Sequence, residues 1–211
     1  TETSIINPVG FVAQEFVEKW FYDLRIIVTK ERGTSPRCHA TALARAGLKD
    51  FRTNTYLGNM VFGVKLPDEI QNTAVRAGNA VGNEAEAWVL ALDAMPNAAE
   101  DRFLDDDYLR SEFDKLSSSF ERVKEVKQDH RGKNRDFGEW NRRLEIAYGA
   151  YKETEAYGNI AKIIEESIRR GKERVLFHEA NSCPEFWEQT RLIAGMNLAV
   201  PLLTCAKSVG G

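Results

Sequence analysis

The feature that most constrains the fold is the run from Asp136 to Arg170, where apolar residues recur at alternating steps of three and four. This spacing places them on one side of an α-helix, which turns about once every 3.6 residues. The main seam consists of Phe137, Trp140, Leu144, Ala147, Tyr151, Thr154, Gly158, Ala161 and Ile168. A second stripe beside it consists of Ile146, Ala150, Tyr157, Ile160 and Ile164. We therefore predict one core helix, about 50 Å long, that contacts two neighbouring helices.

Proline divides the rest of the chain into segments that we interpret as helices. Five of the six prolines stand where a helix can begin, since a proline in the first helical turn loses no intrahelical hydrogen bond. The helices predicted on this basis run from Pro8 to Lys30, from Pro36 to Ala46 and from Pro67 to Met95, and a last one starts near Pro184 and bends at Pro201. The stretch 51–64 stays open between helix and strand.

A helical hairpin is predicted to form the spine of the fold. Asn97 and Glu100 have the spacing of a capping box. The helix predicted after them runs to about His130, and its core residues are Leu109, Phe113, Leu116, Phe120 and Val123. A short connection then leads into the long helix, so the hairpin spans Asn97 to Arg170. The sequence thus predicts an all-α, single-domain bundle of five to seven helices, built on a long antiparallel hairpin.

Composition sets the broad class of protein. The 211 residues are 43% hydrophobic and carry a net charge of −3, which predicts one domain over 1–211 with loose ends at 1–7 and 207–211. No run of about 18 apolar residues predicts a membrane span, and the first residues lack the pattern of a secretory signal. The three cysteines show no disulfide pattern, which favours the reducing cytoplasm.

The residues that could carry chemistry form no recognised motif. His39, His178 and Glu179 are the candidates for an enzyme with an unrecognised helical active site. A zinc site of Cys38 or His39 with His178 and Cys183 lacks the usual ligand spacing. We therefore predict no catalytic residue, no metal and no cofactor.

A cluster of basic residues surrounds the predicted tip of the hairpin and suggests a surface for nucleic acid. Cations on a projecting tip can hold phosphates, although interleaved acidic residues also suit a solvated mixed-charge tip. The candidate binding residues are Lys124, Lys127, Arg131, Lys133, Arg135, Arg142 and Arg143.

Three functions remain open at this point. The large apolar surface without a catalytic motif favours a non-catalytic interaction or assembly protein that self-associates, with a homo-oligomer or a protein partner. The basic tip supports, as an alternative, a nucleic-acid-binding protein or nucleoprotein that binds RNA or single-stranded nucleic acid. The enzyme is the third possibility.

Overall fold

The structure is a computed structural model, and it describes residues 19–48, 58–83, 85–96, 103–129, 136–171, 175–182, 184–185 and 187–209, the side chains of 205 and 207–209 excepted. The strands are β1 (Tyr22–Lys30), β2 (Arg37–Cys38), β3 (Thr41–Ala46), β4 (Met60–Lys65), β5 (Trp88–Pro96) and β6 (Val175–Asn181). The helices are α1 (Asp68–Gly82), α2 (Asp106–Asp129), α3 (Phe137–Lys152), α4 (Glu155–Arg170), α5 (Gln189–Leu192) and α6 (Ala199–Val209). The predicted start at Pro8 and the capping box at Asn97 lie outside the described residues.

The prediction of an all-α bundle is wrong, because the six strands form one antiparallel sheet and the fold is α+β. The strand order across the sheet is β4-β3-β1-β5-β6, and β2 pairs with Val28 and Thr29 near the end of β1. Between β5 and β6 the chain forms α2, α3 and α4, and between β4 and β5 it forms α1. Four of the six helices therefore lie between strands that follow one another along the chain, and α5 and α6 follow the last strand.

The helix predicted from Pro8 to Lys30 is wrong in its second half, where the structure has strand β1. In β1, seven of nine residues are buried, so both faces of the strand are covered. A strand covered on both sides shows a continuous apolar run instead of an alternating one, and that run is easily taken for a buried helix. The consecutive β-branched residues Ile26, Ile27 and Val28 are the strand signal that the helical spacing obscured.

The predicted helices from Pro36 to Ala46 and from Pro67 to Met95 are corrected as well. The first is replaced by β2 and β3. Because β3 pairs with β1 on one side and with β4 on the other, this tertiary pairing overrides the helix propensity of its alanines. The second is a helix only as far as Gly82, and Asn83 then adopts a φ of 40°. Trp88, in the second half of that predicted helix, is 8% exposed and belongs to β5.

In the region of the predicted hairpin the structure describes three helices, α2, α3 and α4, instead of two. The predicted core residues of α2, Leu109, Phe113, Leu116, Phe120 and Val123, are all buried. The single long helix is two helices, because Thr154 caps the start of α4. Its hydroxyl accepts a hydrogen bond from the backbone N–H of Tyr157 at 3.3 Å. A threonine at a seam position thus ended one helix and began the next.

One face of the sheet packs on the helices through an aromatic cluster centred on Phe62 in β4. The Phe62 ring centroid lies 6.2 Å from Phe113 in α2, 6.2 Å from Tyr151 in α3 and 5.1 Å from Tyr157 in α4. On the opposite face, Gly63 admits the segment before α6, since a Cβ there would lie 2.6 Å from the carbonyl oxygen of Ile193. Helical and C-terminal segments therefore cover β4 from both sides.

The outer edge of β4 is closed by side chains from α3 and α4. The Tyr151 hydroxyl donates a hydrogen bond to the carbonyl oxygen of Val61 at 3.1 Å. The backbone N–H of Gly63 donates to the Tyr157 hydroxyl at 2.8 Å, and that of Lys65 donates to Glu165 Oε1 at 2.8 Å. These bonds satisfy edge groups that would otherwise be free to pair with another strand.

Candidate interaction surface

A row of aromatic rings lies where α3 begins, and we call it the aromatic ridge. The Phe137 ring centroid lies 5.5 Å from that of Trp140 and 5.4 Å from that of Trp187, and the Arg191 guanidinium lies 4.6 Å from the Trp187 ring. Phe137 is 50% exposed and Trp187 is 37% exposed. Because each ring already packs on a neighbour, part of the ring surface on which a nucleic-acid base could stack is covered.

The aromatic ridge has a role inside the molecule, since polar bonds made by residues that follow Trp187 fix the C-terminal segment to α2 and α3. Glu188 Oε1 lies 2.7 Å from Lys127 Nζ in α2, and it accepts a hydrogen bond from the Tyr148 hydroxyl at 2.5 Å. Burial, and then the negative charge of Glu188, raise the pKa of Tyr148 well above its usual value, so the hydroxyl keeps the proton that it donates. Arg191 bonds to Glu145 in α3 at 2.7 Å.

The structure describes four of the seven candidate nucleic-acid-binding residues, and three of these four have acidic partners. Lys124 bonds to Glu121 at 2.6 Å, Lys127 to Glu188 at 2.7 Å and Arg143 to Asp129 at 2.8 Å. Arg142 is exposed and has no ion pair with a described residue. The remaining three, Arg131, Lys133 and Arg135, lie outside the described residues. The described part of the tip is thus close to neutral.

A second exposed feature runs along the side of α3 that faces away from the core, and we call it the outer stripe. It consists of Arg142, Ile146, Gly149 and Glu153, which follow one another at steps of four, three and four. This spacing puts them in one line on the helix, opposite the fully buried Leu144. The predicted second stripe placed Ile146 against a neighbouring helix, and that placement is wrong, since the side chain is 66% exposed.

The outer stripe is unusual in three respects. Ile146 has the highest exposed fraction among the large apolar side chains in the described chain. A Cβ on Gly149 would meet no atom within 4 Å, although a glycine inside a helix costs about 0.5–1 kcal/mol relative to alanine. Arg142 and Glu153, at its two ends, make no side-chain ion pair with any described residue. Nothing within the described molecule explains these residue types at these positions.

A buried row of charges crosses the sheet, and the sequence reading missed it. Arg45 in β3 bonds Asp23 in β1 through two nitrogens at 2.7 and 2.9 Å. Arg25 in β1 bonds Asp93 in β5 through two nitrogens, both at 2.8 Å, and Arg45 also reaches Asp93 at 3.0 Å. Strand register brings these residues together, since Asp23 lies opposite Arg45 and Arg25 lies opposite Asp93. Lys19 Nζ also lies 3.8 Å from Asp23, so that three bases surround the two acids.

At the end of this row lies a possible metal-ligand group, which the charges around it disfavour. Ligand atoms of Asp93, His178 and Glu179 lie within 4.8 Å of one another, because the pairing of β6 shifts register opposite Asp93. Both oxygens of Asp93, however, already accept hydrogen bonds from Arg25, and a cation beside two guanidinium groups would be repelled. Nδ1 of His178 is buried and makes no hydrogen bond with any residue that the structure describes. We assign no metal to this group.

His39, proposed for a catalytic role, is half-buried between β2 and β3. Burial, and then the nearby charge of Arg37, lower the pKa of His39. Its buried Nε2 makes no hydrogen bond within the described part of the chain. Burial raises the pKa of the Cys38 thiol to about 12, so this sulfur is a poor nucleophile at neutral pH. Neither side chain has an acid–base partner in the described chain. The described residues around β2 therefore do not form a nucleophile–base pair.

Comparison of the chain with protein-family models, with curated proteins and with solved structures found no match. None of the described helices combines the length and the apolar character needed to cross a membrane.

Proposed function

We propose that the protein is a non-catalytic interaction protein that associates with itself, and that the outer stripe of α3 is its contact surface. The observation that carries this proposal is the exposure of Ile146 in the middle of a rigid helix. Burying an isoleucine side chain is worth roughly 1.5–3 kcal/mol, which this residue does not gain within the described molecule. Contact with another molecule would supply it.

The outer stripe is preferred to the aromatic ridge because the ridge already has an internal role. Trp187 and Glu188 fix the C-terminal segment, so their residue types are explained without a partner. The outer stripe has no such role in the described structure. It also lies on a helix that is packed along α2 and fixed to β4 by Tyr151, so that little order must be gained on binding.

Binding to nucleic acid has less support from the described residues. Attraction to phosphate requires cations that are not already neutralised, and three of the four described candidates are paired with carboxylates. Binding of a protein partner, by contrast, is stabilised by the burial of apolar surface such as Ile146, with charged residues at the rim of the contact. The proposal involves no cofactor and keeps the cytoplasm as the compartment, because the cysteines show no disulfide pattern.

The test is the mass of the protein in solution as its concentration rises. Sedimentation velocity of the parent from about 10 µM to about 1 mM should show a reversible increase in mass, since weak interfaces associate in that range. Ile146→Glu should remain monomeric. The control is Val81→Glu, which changes a side chain in α1 that is 55% exposed. This variant should associate like the parent.

Two outcomes would overturn the proposal. One is a parent that stays monomeric throughout, and the other is an Ile146→Glu variant that still associates as the parent does. A parallel titration with labelled single-stranded RNA at low salt covers the alternative function. Binding that falls steeply with salt, in a parent that never self-associates, would favour the nucleic-acid-binding protein instead.

A further inference from the structure

We infer that two copies of this chain pair through α3 in an antiparallel arrangement, with Arg142 of one copy against Glu153 of the other and Ile146 of one copy against Gly149 of the other. This inference rests on the proposed self-association and specifies its geometry. The two-fold axis would cross the helix opposite residues 147–148, and each pair of contacts would then occur twice.

The spacing of the outer stripe is that of a helix-pairing seam. Steps of four, three and four keep residues in line along a helix that packs against another at a small crossing angle. The buried side of α3 has its own seam, which includes Leu144, Ala147 and Tyr151 and packs inside the molecule. The helix therefore carries two seams on opposite sides, and within the described chain only the inner one is covered.

Gly149 supplies the space that Ile146 of the second copy would fill. The space around a Cβ at this glycine is open to 4 Å, and Ala150 beside it is also small and exposed. Small residues on a helix surface let a second backbone come close, and a branched side chain can then insert into the gap. The same two-fold axis that sets Arg142 against Glu153 also sets Ile146 against Gly149. One geometry thus explains the exposed isoleucine and the glycine together.

The charges at the ends of the outer stripe decide the direction of pairing. Arg142 lies near the start of α3 and Glu153 just after its end, and neither has an ion pair with a described residue. In a parallel pair, Arg142 of one molecule would face Arg142 of the other, and Glu153 would face Glu153, so that like charges meet. In an antiparallel pair each faces the opposite charge, which favours this direction and fixes the register.

The contact is expected to be weak. The sixteen residues of α3 span about 24 Å, so the outer stripe alone buries less than the roughly 1,200 Å² of stable interfaces. We therefore expect association that depends on concentration and breaks on dilution.

Charge reversal tests the geometry. Arg142→Glu and Glu153→Arg should each weaken self-association about tenfold, since each places like charges in contact. The double variant with both changes should recover to within about threefold of the parent, because the pair is restored with its charges exchanged. Sedimentation velocity measures each mass, and far-ultraviolet circular dichroism confirms that each variant is folded.

A substitution at Gly149 should make the monomer more stable and self-association weaker. Gly149→Gln should raise the melting temperature of the dilute monomer, because glutamine favours the helix and the site is open. The same change should weaken self-association about tenfold or more, because the side chain fills the gap that Ile146 of the second copy needs. A glycine without a role in pairing would show the first effect only.

The outcomes separate the geometry from the proposed function. If Ile146→Glu abolishes association but the charge-exchanged double variant stays as weak as the single variants, antiparallel pairing is wrong while self-association through the outer stripe stands. Association that Gly149→Gln leaves unchanged would also overturn this geometry. If the parent does not associate at all, the proposed function fails first.

Discussion

Replacing Asp93 by asparagine tests whether the buried charge row stabilises the fold. Asp93 is 2% exposed and accepts three hydrogen bonds, two from Arg25 and one from Arg45. Asparagine has nearly the same shape, but it turns one acceptor oxygen into an NH₂ group that faces guanidinium donors. Arg45 keeps its two bonds to Asp23. Arg25 loses the one carboxylate that it bonds in the described chain.

The size of the effect follows from the burial of these groups. Removing one partner of a buried ion pair costs about 3–5 kcal/mol, because the remaining charge is left without compensation. The Arg25 side chain is 21% exposed, so water can solvate part of its charge. We therefore expect Asp93→Asn to lower the free energy of unfolding by about 3 kcal/mol at pH 7.

The pH dependence has a definite sign. Burial alone would raise the pKa of Asp93, but the hydrogen bonds from Arg25 and the charges of Arg45 and Arg25 outweigh it and leave the pKa below its usual value. A lowered folded pKa means that the stabilisation is complete above the unfolded value of about 4 and is lost as the pH falls through the folded value. The difference between parent and Asp93→Asn should therefore be constant at neutral pH and shrink in acid below about pH 4.

Urea unfolding followed by circular dichroism measures both effects. The matched control is Asp107→Asn, which removes a carboxylate that also pairs with an arginine, Arg110 at 3.3 Å, but whose side chain is 82% exposed. The control should change stability by less than about 0.5 kcal/mol. An Asp93→Asn variant as stable as the parent at pH 7, or a deficit that does not shrink in acid, would refute the reasoning.

Four further substitutions test core packing, a helix cap and a hydrogen bond by the same urea unfolding measurement. Leu144→Ala should cost roughly 2–5 kcal/mol, because the side chain is fully buried, whereas Ile146→Ala on the same helix should change monomer stability by less than about 0.5 kcal/mol. Thr154→Ala should cost about 1 kcal/mol by removing the cap of α4, and a cost near zero would mean that the cap contributes nothing. Tyr151→Phe should cost about 1 kcal/mol by leaving the Val61 carbonyl oxygen without its side-chain donor, and an unchanged midpoint would contradict the role of that bond.

Helices with one buried side could be predicted from the sequence, and strands buried on both sides could not. The spacing of Leu109, Phe113 and Leu116 in α2 is unambiguous, because the opposite side of that helix is charged. In β1 the apolar residues occur at helical spacing and at strand spacing at once. The signal that could have separated them is Asp23 with Arg25, two charges at alternate positions in an apolar run. Alternate positions share a face in a strand and not in a helix.

The candidate site was only partly visible in the sequence for a related reason. The charge of Arg142 indicates a binding residue, and the apolar character of Ile146 indicates a core residue. Whether a position on α3 faces α2 or faces outward depends on where the two helices meet, which is a long-range property. The charge row depends likewise on strand register, since Arg25 and Asp93 lie in strands separated by α1.

The closed edge of β4 links the integrity of the sheet to the position of α4. The amide hydrogens of Gly63 and Lys65 are held by side chains of α4 and not by a neighbouring strand. Their protection from exchange with solvent therefore reports on whether α4 is docked. A local opening in which α4 detaches would expose the unpaired backbone groups of β4 to strands of other molecules, while the rest of the sheet stays folded. Aggregation of this protein would then begin from a nearly native molecule.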